Sequence, residues 1–199
     1  MLPSIECPDR LIFPINPFHT LTGYGNRFLY KRNLPAFRLR LPNLFHTDII
    51  MSLLQQIEDR SAHIGIIGLG YVGLPLVNAF AQAGFKVTGF DTDPDKISLL
   101  VSGNSYITHI PDQCIRDLVS EKRFLPTHNF DAIQHLNVVV ICVPTPLQET
   151  REPDLSYVKS TATCIAEHLQ PGQLVVLEST TYPGTTEHVV KPLLESSGL

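Results

Sequence analysis

Three glycines at Gly68, Gly70 and Gly73, in "HIGIIGLGYVGLPL", have the spacing G-x-G-x-x-G. Glycines in this pattern allow a tight turn, a close approach of a phosphate to the backbone and close packing of a helix on a strand. The pattern alone is weak, and its flanking elements must decide its meaning. We expect the exposed N–H groups of the turn and the positive end of the following helix to hold a pyrophosphate. The cofactor-binding residues predicted here are Gly68, Leu69, Gly70, Tyr71, Val72 and Gly73.

An aspartate follows the glycines at the spacing that is typical of dinucleotide-binding turns. Asp91 lies eighteen residues beyond Gly73, after the apolar stretch "FKVTGF". A carboxylate at the end of that strand accepts hydrogen bonds from both adenosine ribose hydroxyls and repels a 2′-phosphate, so NAD is favoured over NADP. The alternative is that Asp91 caps the next helix. Asp93, directly before Pro94, fits that cap better.

Polar residues follow two later apolar stretches. Thr145 stands between Pro144 and Pro146 after "VVVICV", where it is either a fixed hydrogen-bonding group or part of a rigid turn. Glu178 and Thr181 follow "QLVVL". Ligands bind outside the carboxyl ends of parallel strands. A lone glutamate buried at a strand end is costly without a partner, which favours a functional or capping role for Glu178.

Apolar stretches and helical segments alternate from His63 onward, and this alternation predicts a fold. Short β-branched runs are typical of strands buried on both faces of a parallel sheet. We therefore predict an α/β fold, a Rossmann-type doubly wound parallel sheet. The predicted strands are "HIGII", "FKVTGFD", "VVVICV" and "QLVVLE", and the predicted helices are "LPLVNAFAQAG", one after Asp93, one near 112–122, one over 156–169 and one after Gly184.

Composition excludes several classes of protein. The chain has 199 residues, 43% of them hydrophobic and 17% charged, with a net charge of −4. This balance offers no basic surface for nucleic acid or an anionic membrane, and no apolar run is long enough to span a bilayer. The four cysteines show no C-x-x-C pair and no metal-ligand spacing, so we expect reduced thiols, a cytoplasmic location and no metal.

The first fifty residues differ from the rest. They contain six of the sixteen prolines and six Lys or Arg against three Asp or Glu. Prolines interrupt every potential helix or strand there. We predict an irregular extension over 1–50 that is not part of the fold, and a domain over 51–199. Met51 opens a short helical segment, so we expect the biological chain to begin there; a genuine regulatory arm is the alternative.

Five motifs in order give a resemblance. "GLGYVGLPL", "FDTDPDKI", "VPTPL", "REPDLSYV" and "ESTTYPGTT" resemble the UDP-glucose/GDP-mannose dehydrogenase family, and most closely its bacterial UDP-N-acetylglucosamine 6-dehydrogenase branch. The resemblance implies NAD-dependent oxidation of a sugar C6 alcohol to a carboxylate. It also implies that Thr145 lies by the cofactor and a catalytic water, that Glu178 assists the acid–base or hydrolysis step near the nicotinamide, and that Thr181 lines the same edge.

The same resemblance shows what this sequence lacks. No residues here match the family's nucleophilic cysteine in a glycine-rich loop, its lysine, its dimerisation helix or its sugar-binding domain. Asn137 stands where the family commonly has an acidic residue, and we expect this difference to have little effect. We therefore expect the NAD-binding domain of a nucleotide-sugar 6-dehydrogenase, a truncated fragment inactive alone, with a UDP-sugar as partner only in a full-length enzyme. Whether the chain is itself an enzyme stays open. The alternatives are a standalone NAD-binding regulatory module and another Rossmann dehydrogenase, against which the later motifs argue.

Overall fold

The computed structural model describes residues 52–148 and 152–199. The strands are β1 (His63–Ile67), β2 (Lys86–Phe90), β3 (Phe124–Thr127), β4 (Val138–Ile141) and β5 (Leu174–Leu177). The helices are α1 (residues 52–58), α2 (Gly73–Gln82), α3 (Pro94–Val101), α4 (Asp112–Ser120), α5 (Ser156–His168) and α6 (Lys191–Glu195). A 3-10 helix (Phe130–His135) precedes β4, and a π-helical stretch (Thr186–Val190) leads into α6.

The five strands form one parallel sheet in the order β3-β2-β1-β4-β5. From β1 the chain moves outward to β2 and β3, and it then returns to the other side of β1 for β4 and β5. The direction therefore reverses between β1 and β4, and ligands bind outside the carboxyl ends of the strands at such a reversal. The predicted Rossmann-type doubly wound sheet is confirmed.

Side chains alternate across the sheet into two cores. Ile64 and Ile66 of β1 pack with residues of α2, α3 and α4, whereas Ile67 packs with residues of α5 on the opposite face. The last four residues of β1 are buried, as are the last four of β2 and all four of β4. Burial on both faces explains the unbroken apolar runs of these strands.

Helix α2 ends, and helix α3 begins, where the sequence predicts. Gly84 has φ +97° after α2, and the N–H of Phe85 donates to the carbonyl of Phe80, a Schellman ending that a left-handed residue allows. Asp93 accepts hydrogen bonds from the N–H groups of Asp95 (2.9 Å) and Lys96 (3.4 Å) at the start of α3. The prediction that Asp93 is the helix cap is confirmed.

A hydrogen-bonded network joins α1 to the sheet at the amino ends of β1 and β4. The side-chain oxygen of Asn137 accepts the N–H of His63 (2.8 Å), and its amide donates to the side-chain oxygen of Gln56 (3.0 Å). The imidazole of His63 hydrogen-bonds the buried hydroxyl of Thr88 (2.9 Å). Asn137 thus joins α1, β1 and the start of β4.

The structure adds elements that the sequence analysis did not predict. Strand β3 pairs with β2 at one edge of the sheet and contains Pro126. A four-residue stretch with a proline gives no strand pattern, and proline is tolerated only at an edge. At the other edge no residue of β5 is buried. Cys7, the predicted extension over 1–50 and Met51 lie outside the described residues.

Candidate functional site

The carboxyl ends of β1, β2, β4 and β5 surround a cavity of about 670 Å³. This volume is typical of a small-molecule or cofactor site. The sheet edge brings together residues distant in sequence: Gly70, Asp91, Thr145 and Glu178 all line the cavity. Tyr71 and Val72 also line it and are 83% and 54% exposed.

The three glycines of the turn meet different surroundings. Gly68 has φ +94°, and a Cβ there would lie 2.5 Å from the carbonyl oxygen of Cys142. A Cβ on Gly73 would overlap the carbonyl oxygen of Gly68, so α2 packs directly on the turn. A Cβ on Gly70, which lines the cavity, would meet nothing within 4 Å. The turn therefore needs Gly68 and Gly73 for its shape, and Gly70 keeps the cavity open at the turn.

The amino terminus of α2 points at the same cavity. Its N-cap residue, Val72, gives no side-chain hydrogen bond, and the first turn of the helix contains no acidic residue. First-turn N–H groups lack partners within the helix, and they carry partial positive charge. A ten-residue helix beginning at a glycine turn beside a cavity therefore suits a phosphate.

Asp91 is engaged more extensively than the sequence analysis supposed. Its side chain is buried; one oxygen accepts the N–H of Leu69 (2.9 Å) and the other accepts the N–H of Asp93 (3.0 Å). Lys96 also approaches Asp91, with its Nζ 3.3 Å from Oδ2. Since a carboxylate has about four acceptor positions, one remains for a ligand. Asp91 thus also holds the glycine turn, and its role towards a ribose stays a prediction.

Tyr106 is a residue that sequence reasoning missed. Its hydroxyl donates to the carbonyl of Leu69 over 2.5 Å, and Lys96 Nζ lies 5.9 Å from the centre of its ring. Burial, together with the carboxylates of Asp91 and Asp93, raises the pKa of the Tyr106 phenol above its usual range, so the hydroxyl stays protonated. Tyr106 comes from the irregular segment between α3 and α4, and no spacing rule connects it with the turn.

The ends of β4 and β5 form the other side of the cavity. The hydroxyl of Ser179 donates to the carbonyl of Val143 (2.8 Å) and so ties the two strand ends together. Thr145 is half-buried and lines the cavity. Glu178 lines it too, but its side chain is exposed, so the argument from the cost of burying a lone glutamate is wrong.

Three predicted residues lie outside the lining of the cavity. Leu69 is fully buried behind the turn, and Gly73 packs against Gly68. Thr181 is half-buried beside the cavity, whereas Thr180, which the sequence analysis did not select, lines it.

Cys142, like Cys164, has a thiol that lies at the cavity. It is 8% exposed and lines the cavity. Burial, and to a smaller extent the charge of Glu178, raises the pKa of the Cys142 thiol to about 11. At neutral pH the group is a thiol and not the thiolate that acts as a nucleophile.

In residues 52–148 and 152–199, no three His, Cys, Asp or Glu side chains form a group suited to a metal, and no helix is long and apolar enough to cross a bilayer.

Comparison with known proteins decides the family. The model of the UDP-glucose/GDP-mannose dehydrogenase family, NAD binding domain, matches residues 62–198. The chain belongs to the UDP-glucose/GDP-mannose dehydrogenase family. The described region is that family's NAD-binding domain, and NAD is its cofactor.

Relatives within the UDP-glucose/GDP-mannose dehydrogenase family are similar over this domain. The chain is 36% identical over 137 residues to UDP-N-acetyl-D-mannosamine dehydrogenase of Pyrococcus horikoshii and 37% identical over 137 residues to UDP-N-acetyl-D-glucosamine 6-dehydrogenase of Pseudomonas aeruginosa. Each match covers 68% of this chain and 32% of the relative. The structure of GDP-mannose dehydrogenase from Pseudomonas aeruginosa superposes with a TM-score of 0.64 at 32% identity, covering 67% of this chain and 32% of that one. The chain thus spans about a third of the length of these relatives.

Proposed function

We propose that the cavity is the NAD site of a nucleotide-sugar 6-dehydrogenase and that the glycine turn holds the pyrophosphate. The observation that supports this most strongly is the open space at Gly70, directly before the uncapped amino terminus of α2. Backbone N–H groups from Gly70 to Gly73 are the proposed phosphate donors, with Tyr71 and Val72 at the exposed rim. The N–H of Gly68 already donates to the carbonyl of Phe90, and that of Leu69 donates to Asp91.

Asp91 is the proposed partner of the adenosine ribose. It lines the cavity on the β2 side, and its remaining acceptor position can take one ribose hydroxyl. A 2′-phosphate would bring two negative charges to a buried carboxylate, and Lys96 already pairs with that carboxylate. This arrangement favours NAD over NADP.

Thr145 and Glu178 are the proposed residues of the reacting end. NAD, when bound, supplies the hydride acceptor. The Thr145 hydroxyl is suited to orienting the cofactor or a water at the end of β4. The exposed carboxylate of Glu178 can exchange protons with solvent and is suited to an acid–base step. Thr181, which lies beside the cavity, is assigned a supporting position only.

The proposed substrate class is UDP-N-acetylglucosamine or a related UDP-sugar, oxidised at C6 to the uronate. The names of the relatives support this class. Two thiols of the described residues line the cavity, Cys142 and Cys164, and burial raises the pKa of both, which disfavours the thiolate that would act as the nucleophile. We therefore expect this 199-residue chain to bind NAD without oxidising a nucleotide sugar by itself.

Two measurements on the full chain test these proposals. Titration calorimetry should give NAD binding with NADP at least about tenfold weaker, because Asp91 repels a 2′-phosphate. Equal affinity for the two cofactors would contradict the ribose assignment. Incubation with NAD and UDP-N-acetylglucosamine should give no NADH absorbance at 340 nm above the enzyme-free control. Sustained NADH production would contradict the expectation that the chain is inactive alone.

A further inference from the structure

Leu69, the residue between the first two glycines, is held on three sides. Its N–H donates to Asp91 (2.9 Å), and its carbonyl accepts the hydroxyl of Tyr106 (2.5 Å). Its side chain is fully buried against Gly89, where an added Cβ would lie 2.8 Å from a Leu69 methyl group. The backbone of the turn is therefore fixed at this residue by two side chains from elsewhere in the chain.

The planarity of the peptide unit transmits this restraint to Gly70. In a trans peptide the carbonyl of one residue and the N–H of the next point in opposite directions. No described peptide bond is cis. Because Tyr106 holds the carbonyl of Leu69, the N–H of Gly70 must point away from Tyr106. Gly70 belongs to the described lining of the cavity, and neither Leu69 nor Tyr106 does. The N–H of Gly70 therefore points to the cavity side of the turn.

The position of Tyr106 is itself well defined. Ile107, the next residue, is 4% exposed and belongs to the core formed with α2 and α4. Ser105, the preceding residue, donates its N–H to the side chain of Asp112 at the start of α4 (2.8 Å). The segment that presents the phenol is thus anchored on both sides.

We propose that Tyr106 is a positioning residue for pyrophosphate binding: its hydroxyl orients the Leu69–Gly70 peptide so that the Gly70 N–H is directed at a phosphate before the ligand arrives. Tyr106 itself lies outside the described lining of the cavity. The proposal rests on the proposed NAD site and adds to it a residue from outside the strand-end loops. Preorganisation of this kind raises affinity by removing the cost of ordering the donor on binding.

The test compares a ligand that has the diphosphate with one that lacks it. Tyr106→Phe keeps the buried ring and removes only the hydroxyl. In the full chain, affinity for ADP should fall about fivefold, the effect of one neutral hydrogen bond, while affinity for adenosine, measured by NMR titration, should stay within about twofold. Tyr182→Phe is the matched control, because Tyr182 is 47% exposed and lies outside the described lining of the cavity. It should change neither affinity.

A merely structural role would give a different result. General loosening of the site would weaken ADP and adenosine by the same factor, and that outcome, or an unchanged ADP affinity, would overturn the proposal. A measurement on the unmodified chain covers the case in which the variant does not fold: the Gly70 amide resonance should move downfield with ADP and not with adenosine. A Gly70 amide that ADP leaves unmoved would also overturn it. If the unmodified chain bound neither NAD nor ADP, the proposed NAD site itself would fail.

Discussion

At each end of β1, a side chain from a distant part of the chain accepts a backbone N–H, but the two ends serve different purposes. At the amino end, Asn137 accepts the N–H of His63 (2.8 Å); at the carboxyl end, Asp91 accepts the N–H of Leu69 (2.9 Å). The amino-end network also engages Gln56 and Thr88, so the protein satisfies it internally. The carboxyl end faces a cavity and keeps an acceptor position unused.

The difference separates stability from binding. Changes at the amino end should alter the free energy of unfolding and leave ligand affinity unchanged. Changes at the carboxyl end should alter ligand affinity, and those that remove a buried hydrogen bond or overlap the backbone should lower the free energy of unfolding as well. Four predictions follow from this contrast, beginning with the largest effect.

Gly73→Ala should have the largest effect, since the new methyl group would overlap the carbonyl of Gly68. Overpacking against backbone cannot be relieved by a rotamer change, so we expect a loss of about 3 kcal/mol or more in unfolding free energy. Urea denaturation would measure it. Gly70→Ala is the matched control: its methyl group meets nothing within 4 Å. It should keep wild-type stability and weaken NAD at least about tenfold by occupying the phosphate position. Equal stability of the two variants would contradict this account of the turn.

Asp91→Asn should weaken NAD about tenfold and reduce discrimination against NADP. The amide cannot accept hydrogen bonds from both Leu69 and Asp93, and it loses the ion pair with Lys96. Calorimetry with both cofactors measures the change. Asp95→Asn makes the same change of charge on α3 outside the described cavity lining and should leave both affinities unaltered. A matching loss in Asp95→Asn would mean that net charge, and not the contacts of Asp91, sets the affinity.

Asn137→Ala should lower the unfolding free energy by about 1–2 kcal/mol, because it leaves the N–H of His63 without its acceptor. The affinity for NAD should stay the same. Chemical denaturation and calorimetry on one preparation would measure both quantities. A weaker affinity for NAD in this variant would show that the two ends of β1 are coupled.

Stability should fall as the pH is lowered from about 6.5 to 4. Burial, followed by the charges of Lys86 and His135, lowers the pKa of His63 to about 4. The unfolded chain therefore binds this proton first, so the contribution of His63 to stability is full above pH 6.5, declines through the window and levels off below pH 4. Because His63 is only partly buried, the loss is on the order of 1 kcal/mol. Urea midpoints across this range would measure it. His63→Gln should lose less stability over the window than the wild type, and an identical decline would exclude His63 as the cause.

The periodicity of the apolar residues, together with the capping and turn residues, predicted the elements that depend on interactions between neighbours in sequence. The strand β1, the cap at Asp93 and the end of α2 at Gly84 each follow from residues adjacent in sequence. The carboxyl-edge placement of Asp91 and Thr145 followed from strand direction alone. These features needed no knowledge of distant contacts.

Contacts between distant segments could not be predicted in this way. The hydrogen bond from Tyr106 to Leu69 joins residues 37 positions apart, and nothing in the segment around Tyr106 marks it. The exposure of Glu178 depends on β5 being an edge strand, and strand order across a sheet is a tertiary property. The missed strand β3 is stabilised by pairing with β2, not by its own four residues.

The two edges of the sheet differ in how they could meet another copy of the chain. Strand β3 presents Pro126, which has no N–H to donate, whereas β5 has an unsubstituted backbone and an exposed Leu174. Growth of a fibre needs two unlike edges that join head to tail, and the proline weakens one of them. Pairing of β5 with a second β5 is two-fold symmetric and closes on itself. Within the described residues, the proline thus weakens the β3 edge as a partner for a further strand.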